Sequence, residues 1–457
     1  MGLPPVVQRP ELPVRSHLTV GGWLTLFVVR PAWLWRRELA AVWALGSVSA
    51  WAWLAAGWLA GVAGPVLLVA WLAAVPWTRQ RAVSAWRRGR LRRRWDRACR
   101  FAGLATVNDR IPRIVRHREV PAGDRLMVRV PKGSERAELE EAAERVAAVL
   151  RVRQIRITRD VERADLAHVD VVRRDPFDGT DPRMPARLPW PWRDRRQVSL
   201  WDPVPVAVDD MGDTITLSLP GRHVLIGGEP EAGKSTALSA VLAAGALDPN
   251  VRLIGLDAKR LELALWRPVF DRLVFNNMGD AIDTLDELIG EMDRRYEHLE
   301  QAGRRSWRPS DGPLYLVPID ELRFYTACED RKAREAFNAR AIDLAARGRA
   351  AGMILAPATQ KPSTDVVRSS FRDLLAVRWA MRCSTRDASD TILGAGWATN
   401  GYNAAEIDIS TRGVGWLLAE GGLPRRCKSY FLSDAEISDI ATRGAALRRL
   451  AAGDRWI

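Results

Sequence analysis

Eight consecutive residues, Gly228-Glu229-Pro230-Glu231-Ala232-Gly233-Lys234-Ser235, have the types and spacing of a loop that holds phosphate. The outer glycines let the backbone wrap until its amides face an anion, and a helix beginning there adds the positive end of its dipole. Lys234 is placed to reach β- and γ-phosphates, Ser235 offers a hydroxyl to Mg²⁺, and Thr236 continues the cradle. The flanks agree: 223–227 (HVLIG) reads as a short apolar strand and 236–247 as a helix. The ligands this chemistry implies are ATP and Mg²⁺.

A second constellation follows about 85 residues later. The apolar stretch 314–319 (LYLVPI) ends at Asp320-Glu321, a Walker B pair in which Asp320 holds the metal and its waters and Glu321 polarises the attacking water. Pro318 lacks the amide a central strand donates, so a bulge that aims the carboxylates is expected there. A further strand, 353–358 (MILAPA), ends at Thr359-Gln360, and Gln360 is placed to sense the γ-phosphate.

The elements that must position these groups occupy only part of the 457 residues, which suffice for two or three domains. No residue between Glu38 and Arg79 is charged. Those 40 residues are long enough for two membrane spans, with Gly57, Gly61, Gly64 and Pro65 marking the turn between them. Arginines flank both ends and none lies in the turn, so the positive-inside rule puts both ends in the cytoplasm. The expected architecture is a transmembrane helical hairpin at 39–78, preceded by an interfacial segment at 1–38. A basic juxtamembrane helix spans 79–112, a small α/β domain 113–175, a Pro- and Asp-rich linker 176–200, and an α/β P-loop NTPase motor of RecA-like type 201–457. In the small domain, Ser134 is expected to cap a helix.

Charge is unevenly spread. Of the net +14, the stretch 79–118 carries +12, from 14 arginines against Asp96 and Asp109. Its first reading is a helix held by anionic membrane lipid, at about 1 kcal/mol per basic residue near the surface; its second is a collar that tracks DNA. The four cysteines form no Cys-x-x-Cys pair and the five histidines have no metal-ligand spacing, which argues against a disulfide framework or a zinc site.

From about 201 to 438 the order of motifs resembles the FtsK/SpoIIIE family of hexameric double-stranded DNA translocases. The resemblance rests on the phosphate loop, Asp257-Ala258-Lys259 with Glu262-Leu263, and Glu291-Met292-Asp293-Arg294-Arg295-Tyr296. It continues through Arg349-Ala350-Ala351-Gly352, Ala358-Thr359-Gln360-Lys361-Pro362, Arg378, Ser384-Thr385, Asp387 and Thr391-Ile392-Leu393. Two spans, a small α/β domain and one motor resemble the TraB-type conjugation translocases of actinobacteria. This implies a homo-hexamer with double-stranded DNA in its channel, working on plasmid or integrative-element DNA at the cell membrane with the motor in the cytoplasm. It also implies an arginine finger supplied to the neighbour's ATP, for which Arg378 holds the matching position and Arg349 is the second choice. On this reading Arg304, Arg305, Arg308, Lys361, Arg368 and Arg372 are the expected DNA-phosphate contacts.

Two departures stand out. Glu231 sits where the family has glycine, which puts a carboxylate near phosphate. Little chain follows the helix expected at 434–449, so the winged-helix module of many relatives is expected to be absent. A second function, the ATPase of a type VII-like protein secretion system, shares the two spans and the ATPase fold but usually carries several ATPase domains. A third, a non-enzymatic membrane adaptor, is disfavoured by the intact Lys234, Ser235, Asp320 and Glu321.

Overall fold

The computed structural model describes residues 36–453, apart from scattered positions between 60 and 73 and Val107, Val161 and Glu420. The expected interfacial segment lies almost wholly outside the described residues, as does much of the second apolar span. Helix α1 (Arg36–Ala56) covers the first. Among the described residues no helix is long and apolar enough to cross a membrane. Along α1, Trp43, Trp51 and Leu54 are exposed.

The chain divides into two compact units, 1–118 with 124–173, and 119–123 with 174–457. In the first, helix α2 (Pro76–Phe101) begins with proline at its first turn, where a missing amide costs no hydrogen bond. Leu91, Trp95, Ala98, Cys99 and Ala102 recur every three or four residues and are buried, so this stripe is the face α2 presents to a core. The remaining elements are β1 (Arg113–Val120), β2 (Gly123–Arg129), α3 (Arg136–Glu141), α4 (Ala143–Leu150), β3 (Gln154–Arg159) and β4 (Leu166–Val172), with strand order β1-β2-β4-β3. Leu126, Val128, Leu139, Val146, Leu150 and Val169 share the core with the α2 stripe. The basic helix is therefore half embedded in the small domain instead of lying apart from it. Ser134 is not the helix cap. Its amide closes a turn onto Pro131 O, and Glu135, with extended backbone, precedes α3.

The second unit is built on ten strands: β5 (Val204–Asp209), β6 (Thr214–Leu217), β7 (Val224–Gly227), β8 (Val251–Asp257), β9 (Arg272–Phe275), β10 (Leu314–Asp320), β11 (Met353–Thr359), β12 (Val377–Met381), β13 (Val414–Leu418) and β14 (Arg425–Ser429). Their order is β6-β5-β14-β13-β12-β7-β11-β10-β8-β9. From β12 to β9 every pairing is parallel, and from β13 outward every pairing is antiparallel. The helices between them are α5 (Lys234–Leu247), α6 (Met278–Gln301), α7 (Leu322–Thr326), α8 (Arg331–Arg347), α9 (Ser369–Arg372), α10 (Arg386–Leu393) and α11 (Asp434–Gly453). Alternation along β10 shows that both faces are covered. Leu316 meets Gly245 of α5, while its neighbour Tyr315 meets Arg295 of α6. A parallel sheet covered on both faces explains the near-continuous apolar runs of β7, β10 and β11.

Pro318 introduces no bulge. The register with β11 runs unbroken through Pro318↔Ala356, and on the β8 side pairing resumes in the same register at Ile319↔Leu256. The segment 176–200 is not a free linker either. Phe177, Met184, Leu188, Trp190, Val198 and Leu200 are buried in the motor core, and Trp190 Nε1 donates to Pro205 O at 2.9 Å. Its prolines and aspartates shape turns while its large apolar residues dock.

Two arginines, the first of them in the family-like signature, hold the fold. Arg295 is buried; it donates to Glu291 Oε1 at 3.0 Å, Ala351 O at 2.8 Å and Pro313 O at 2.8 Å, and lies over the Trp307 ring. Arg448 of α11 donates to Gly245 O, Ala246 O and Asp248 O, satisfying carbonyls at the C-terminal end of α5.

His223, fully buried just before β7, accepts from Leu355 N through Nδ1 and donates from Nε2 to Ala345 O at 2.9 Å. Burial pushes its pKa down to about 4. The unfolded chain, with an ordinary histidine near 6.5, binds the extra proton between those values. Stability is thus full above about 6.5 and falls as pH drops towards 4, by up to about 3 kcal/mol. The expected result is that His223→Gln, compared with wild type by denaturant unfolding across this window, removes that slope; an unchanged slope would assign it elsewhere.

Candidate nucleotide site

The parallel strands all point their C-terminal ends to one edge of the sheet, where ligands of such sheets gather. Register places Gly227 of β7 beside Thr359 of β11 and Ala380 of β12, and Asp320 of β10 beside Asp257 of β8. The phosphate loop and the Walker B pair are thereby brought to the same edge, with β11 between their strands.

The loop has the shape the motif requires. Gly228 has φ +155°, and a Cβ there would meet Met381 Cβ at 2.7 Å. Gly233 has φ +105°, and a Cβ there would meet the backbone of Gly413 at 2.6 Å. These are cradles only glycine fits. Gly233 is the N-cap of α5, so the free amides of its first turn face the loop. Lys234 is buried and its Nζ donates to Glu229 O at 2.7 Å. Burial lowers its pKa to about 8, with Glu321 and Asp320 pulling the other way. Ser235 is exposed at the mouth. Thr236 turns away, donating to Gly233 O at 2.6 Å and meeting Ser429 Oγ at 2.9 Å, so its hydroxyl braces the loop against β14.

The two glutamates of the loop are each answered by an arginine. Glu229 pairs with Arg382, whose carbonyl also accepts the Glu229 amide at 2.9 Å. Glu231, with φ 60°, is exposed and pairs with Arg412 at 2.8 Å. The carboxylate that departs from the family pattern is thus drawn aside by a countercharge instead of standing bare beside phosphate.

Asp320 is buried, and its Oδ2 has no hydrogen-bond partner among the described residues. Burial first, then Glu262 and Asp257, push it up to about 7. A buried carboxylate oxygen without a donor is what a metal ligand looks like before its cation arrives. Among the described residues no cluster of three or more His, Cys, Asp or Glu could hold a metal by itself. A magnesium ion at Asp320 would take the rest of its shell from phosphates, water and Ser235.

Glu321 follows in left-handed conformation, φ 55° and ψ 70°. Its Oε1 accepts from the Thr359 hydroxyl at 3.1 Å and the Gln360 amide at 3.3 Å, and its Oε2 lies 3.3 Å from Lys259 Nζ. Gln360 joins the site through its backbone, and Thr359 supplies the side chain. In the sequence, Lys259 and Asp257 stand only as parts of the family-like signature. Their signal was available: 251–257 and 314–320 both run apolar into a terminal Asp, as neighbouring parallel strands do. Arg382 and Arg412 gave no local signal, because tertiary contacts bring them to the loop.

Other expected residues are placed elsewhere. Arg378 is half-buried and donates to Leu375 O and Leu393 O, both at 3.0 Å. Arg349 is exposed at the opposite end of the sheet, donating to Gly221 O. Arg304, Arg305 and Arg308 precede β10, whereas Lys361, Arg368 and Arg372 follow β11, so the two groups sit at opposite ends of the parallel sheet. Arg304 is tied to Asp311 at 2.6 Å and Arg372 to Asp373 at 3.0 Å; Arg305, Arg308, Lys361 and Arg368 are exposed.

Fold and site together define a P-loop NTPase motor domain of the ATPase kind. Residues 169–322, which include both the phosphate loop and the Walker B pair, match the FtsK/SpoIIIE family model. It is similar to the DNA translocase FtsK of Staphylococcus epidermidis, 26% identical over 259 residues, or 52% of this chain and 31% of that protein. It is also similar to the DNA translocase FtsK of Listeria monocytogenes, 28% identical over 240 residues, or 48% of this chain and 30% of that protein. The match spans under a third of the length of either relative. Among solved structures, the pCW3 conjugation coupling protein TcpA, in monomer form with ATPγS, shares the fold. Its TM-score is 0.51 at 18% identity, covering 78% of this chain and 99% of that one.

Proposed function

We propose that this chain is an ATP-driven translocase of double-stranded DNA, anchored in the cell membrane, and that its cargo is plasmid or integrative-element DNA in conjugation. The observation that carries the motor reading is the pairing of an unpartnered buried Asp320 Oδ2 with a Glu321 carboxylate held by Thr359, Gln360 and Lys259, at the same sheet edge as the phosphate loop. The loop amides, Lys234, Ser235 and Asp320 would hold ATP with Mg²⁺, which supplies the phosphoanhydride whose cleavage drives movement. Lys234 places positive charge at the loop, and Glu321 orients a water and accepts its proton. The DNA cargo is supported by likeness to proteins named DNA translocases and to a conjugation coupling protein. Membrane anchoring is supported by the 40-residue uncharged run and the exposed tryptophans of α1. The family likeness supports a hexamer with an arginine supplied between subunits.

The test is ATP hydrolysis by the full chain in detergent or nanodiscs, with and without long duplex DNA. The reading expects strong stimulation that falls with salt, because the contacts are to phosphate. Charge reversal at Lys361 and Arg368 is expected to reduce the stimulation. Hydrolysis indifferent to duplex would reject the translocase and favour a protein-secretion ATPase.

A further inference from the structure

The first unit carries an open groove of about 660 Å³ lined by Arg88 and Arg92 of α2, Arg116 and Arg118 of β1, and Arg125 of β2. Two histidines also line it, each with a carboxylate on its ring: His117 with Asp124 at 2.6 Å and His168 with Asp160 at 3.2 Å. Val115 and Met127 are the apolar members, and no acidic side chain lines it. Arg88, Arg92, Arg116 and Arg118 are exposed, while Arg125 is anchored to Asp170 at 2.8 Å. Folding thus gathers guanidinium groups from three elements into one concavity, where each repels the others.

We propose that this groove binds the sugar-phosphate backbone of nucleic acid, a second contact with the DNA that the motor moves; the proposal rests on the translocase reading. Guanidinium forks match phosphate oxygens, and a polyanion relieves the repulsion that the fold has assembled. An anionic bilayer fits less well for three reasons. The apolar stripe of α2 beyond Arg88, at Leu91, Trp95 and Ala98, is buried in the domain core and so is not available to an interface; the exposed Trp77, Val83 and Trp86 all precede it. A flat surface does not enter a concave groove. Finally, Arg88 and Arg92 lie 10 and 14 residues beyond Thr78, the end of the uncharged run. At 1.5 Å per residue that is about 15 and about 21 Å along the helix, against a screening length of about 8 Å at physiological salt.

The experiment uses the full chain in nanodiscs of neutral phosphatidylcholine and a fluorescent duplex, titrated between about 50 and about 200 mM salt. For the variant carrying Arg88→Gln, Arg116→Gln and Arg118→Gln, affinity at low salt should fall about tenfold or more. The slope of log affinity against log salt should become shallower by about 0.9 per lost phosphate contact. Hydrolysis of ATP without DNA should be unchanged, since the groove is not part of the nucleotide site. The variant with lysine at the same three positions should keep most of the slope, which separates lost charge from lost structure. Wild-type affinity and slope in the glutamine variant would overturn the proposal. So would intact duplex binding with lost binding to phosphatidylglycerol vesicles, which would assign the groove to the membrane. A wild-type chain that binds no duplex would instead remove the translocase reading beneath it.

Discussion

Glu321→Gln is expected to lower ATP hydrolysis by roughly 10²–10⁴-fold, the range a positioned general base contributes, while nucleotide binding persists. Glutamine keeps the size of the side chain and an oxygen that can accept from Thr359 and Gln360, now at 3.1 and 3.3 Å. What it loses is the capacity to take a proton and the ion pair with Lys259. The left-handed backbone at this position is no worse for glutamine than for glutamate, so folding is not the variable. Phosphate release and titration with a fluorescent nucleotide report the two properties separately. Turnover within about threefold of wild type would show that another group handles the proton.

Asp320→Asn should split stability from activity. The carboxylate is buried without a partner on Oδ2 and has its pKa pushed up to about 7 from 3.8. Because the folded value is the higher one, its favourable contribution is complete below about 4 and is lost as pH rises through about 7. At pH 8, without metal, the folded protein holds a buried charge at a cost of up to about 4 kcal/mol. Asparagine removes that charge. The variant is therefore expected to melt higher than wild type at pH 8 in EDTA, with the difference shrinking towards pH 5. Hydrolysis should fall to background, and the stabilisation by ATP with Mg²⁺ should weaken sharply. This is the trade found where function needs a destabilising group. A lower metal-free melting temperature at pH 8 would mean that Asp320 is satisfied by the fold and is not waiting for a cation.

The chemistry at the sheet edge was legible because it is written in short contiguous runs. A phosphate loop sits between a strand and a helix, and a Walker B pair ends an apolar strand; both depend on neighbours within about ten residues. What escaped depended on distant partners. Arg412 reaches Glu231 across 181 positions, and Arg382 reaches Glu229 across 153. The segment 176–200 reads as a linker because 176–192 is rich in proline and aspartate, yet Trp190 and Leu200 are buried. The stretch 79–112 looked uniformly basic because arginine count masks the Leu91–Trp95–Ala98 stripe. Pro318 was expected to distort its strand, but the parallel ladders on both sides keep register around one missing amide.

The hold of Arg448 on the far end of α5 has a mechanical consequence. The N-terminal end of that helix is the floor of the phosphate loop, and its C-terminal carbonyls are clamped by α11, with Gly444 close against Ala246. Sliding along its own axis would break those bonds together. With Thr236 braced on Ser429 at one end and Arg448 on the last carbonyls at the other, α5 is held along its axis at both ends.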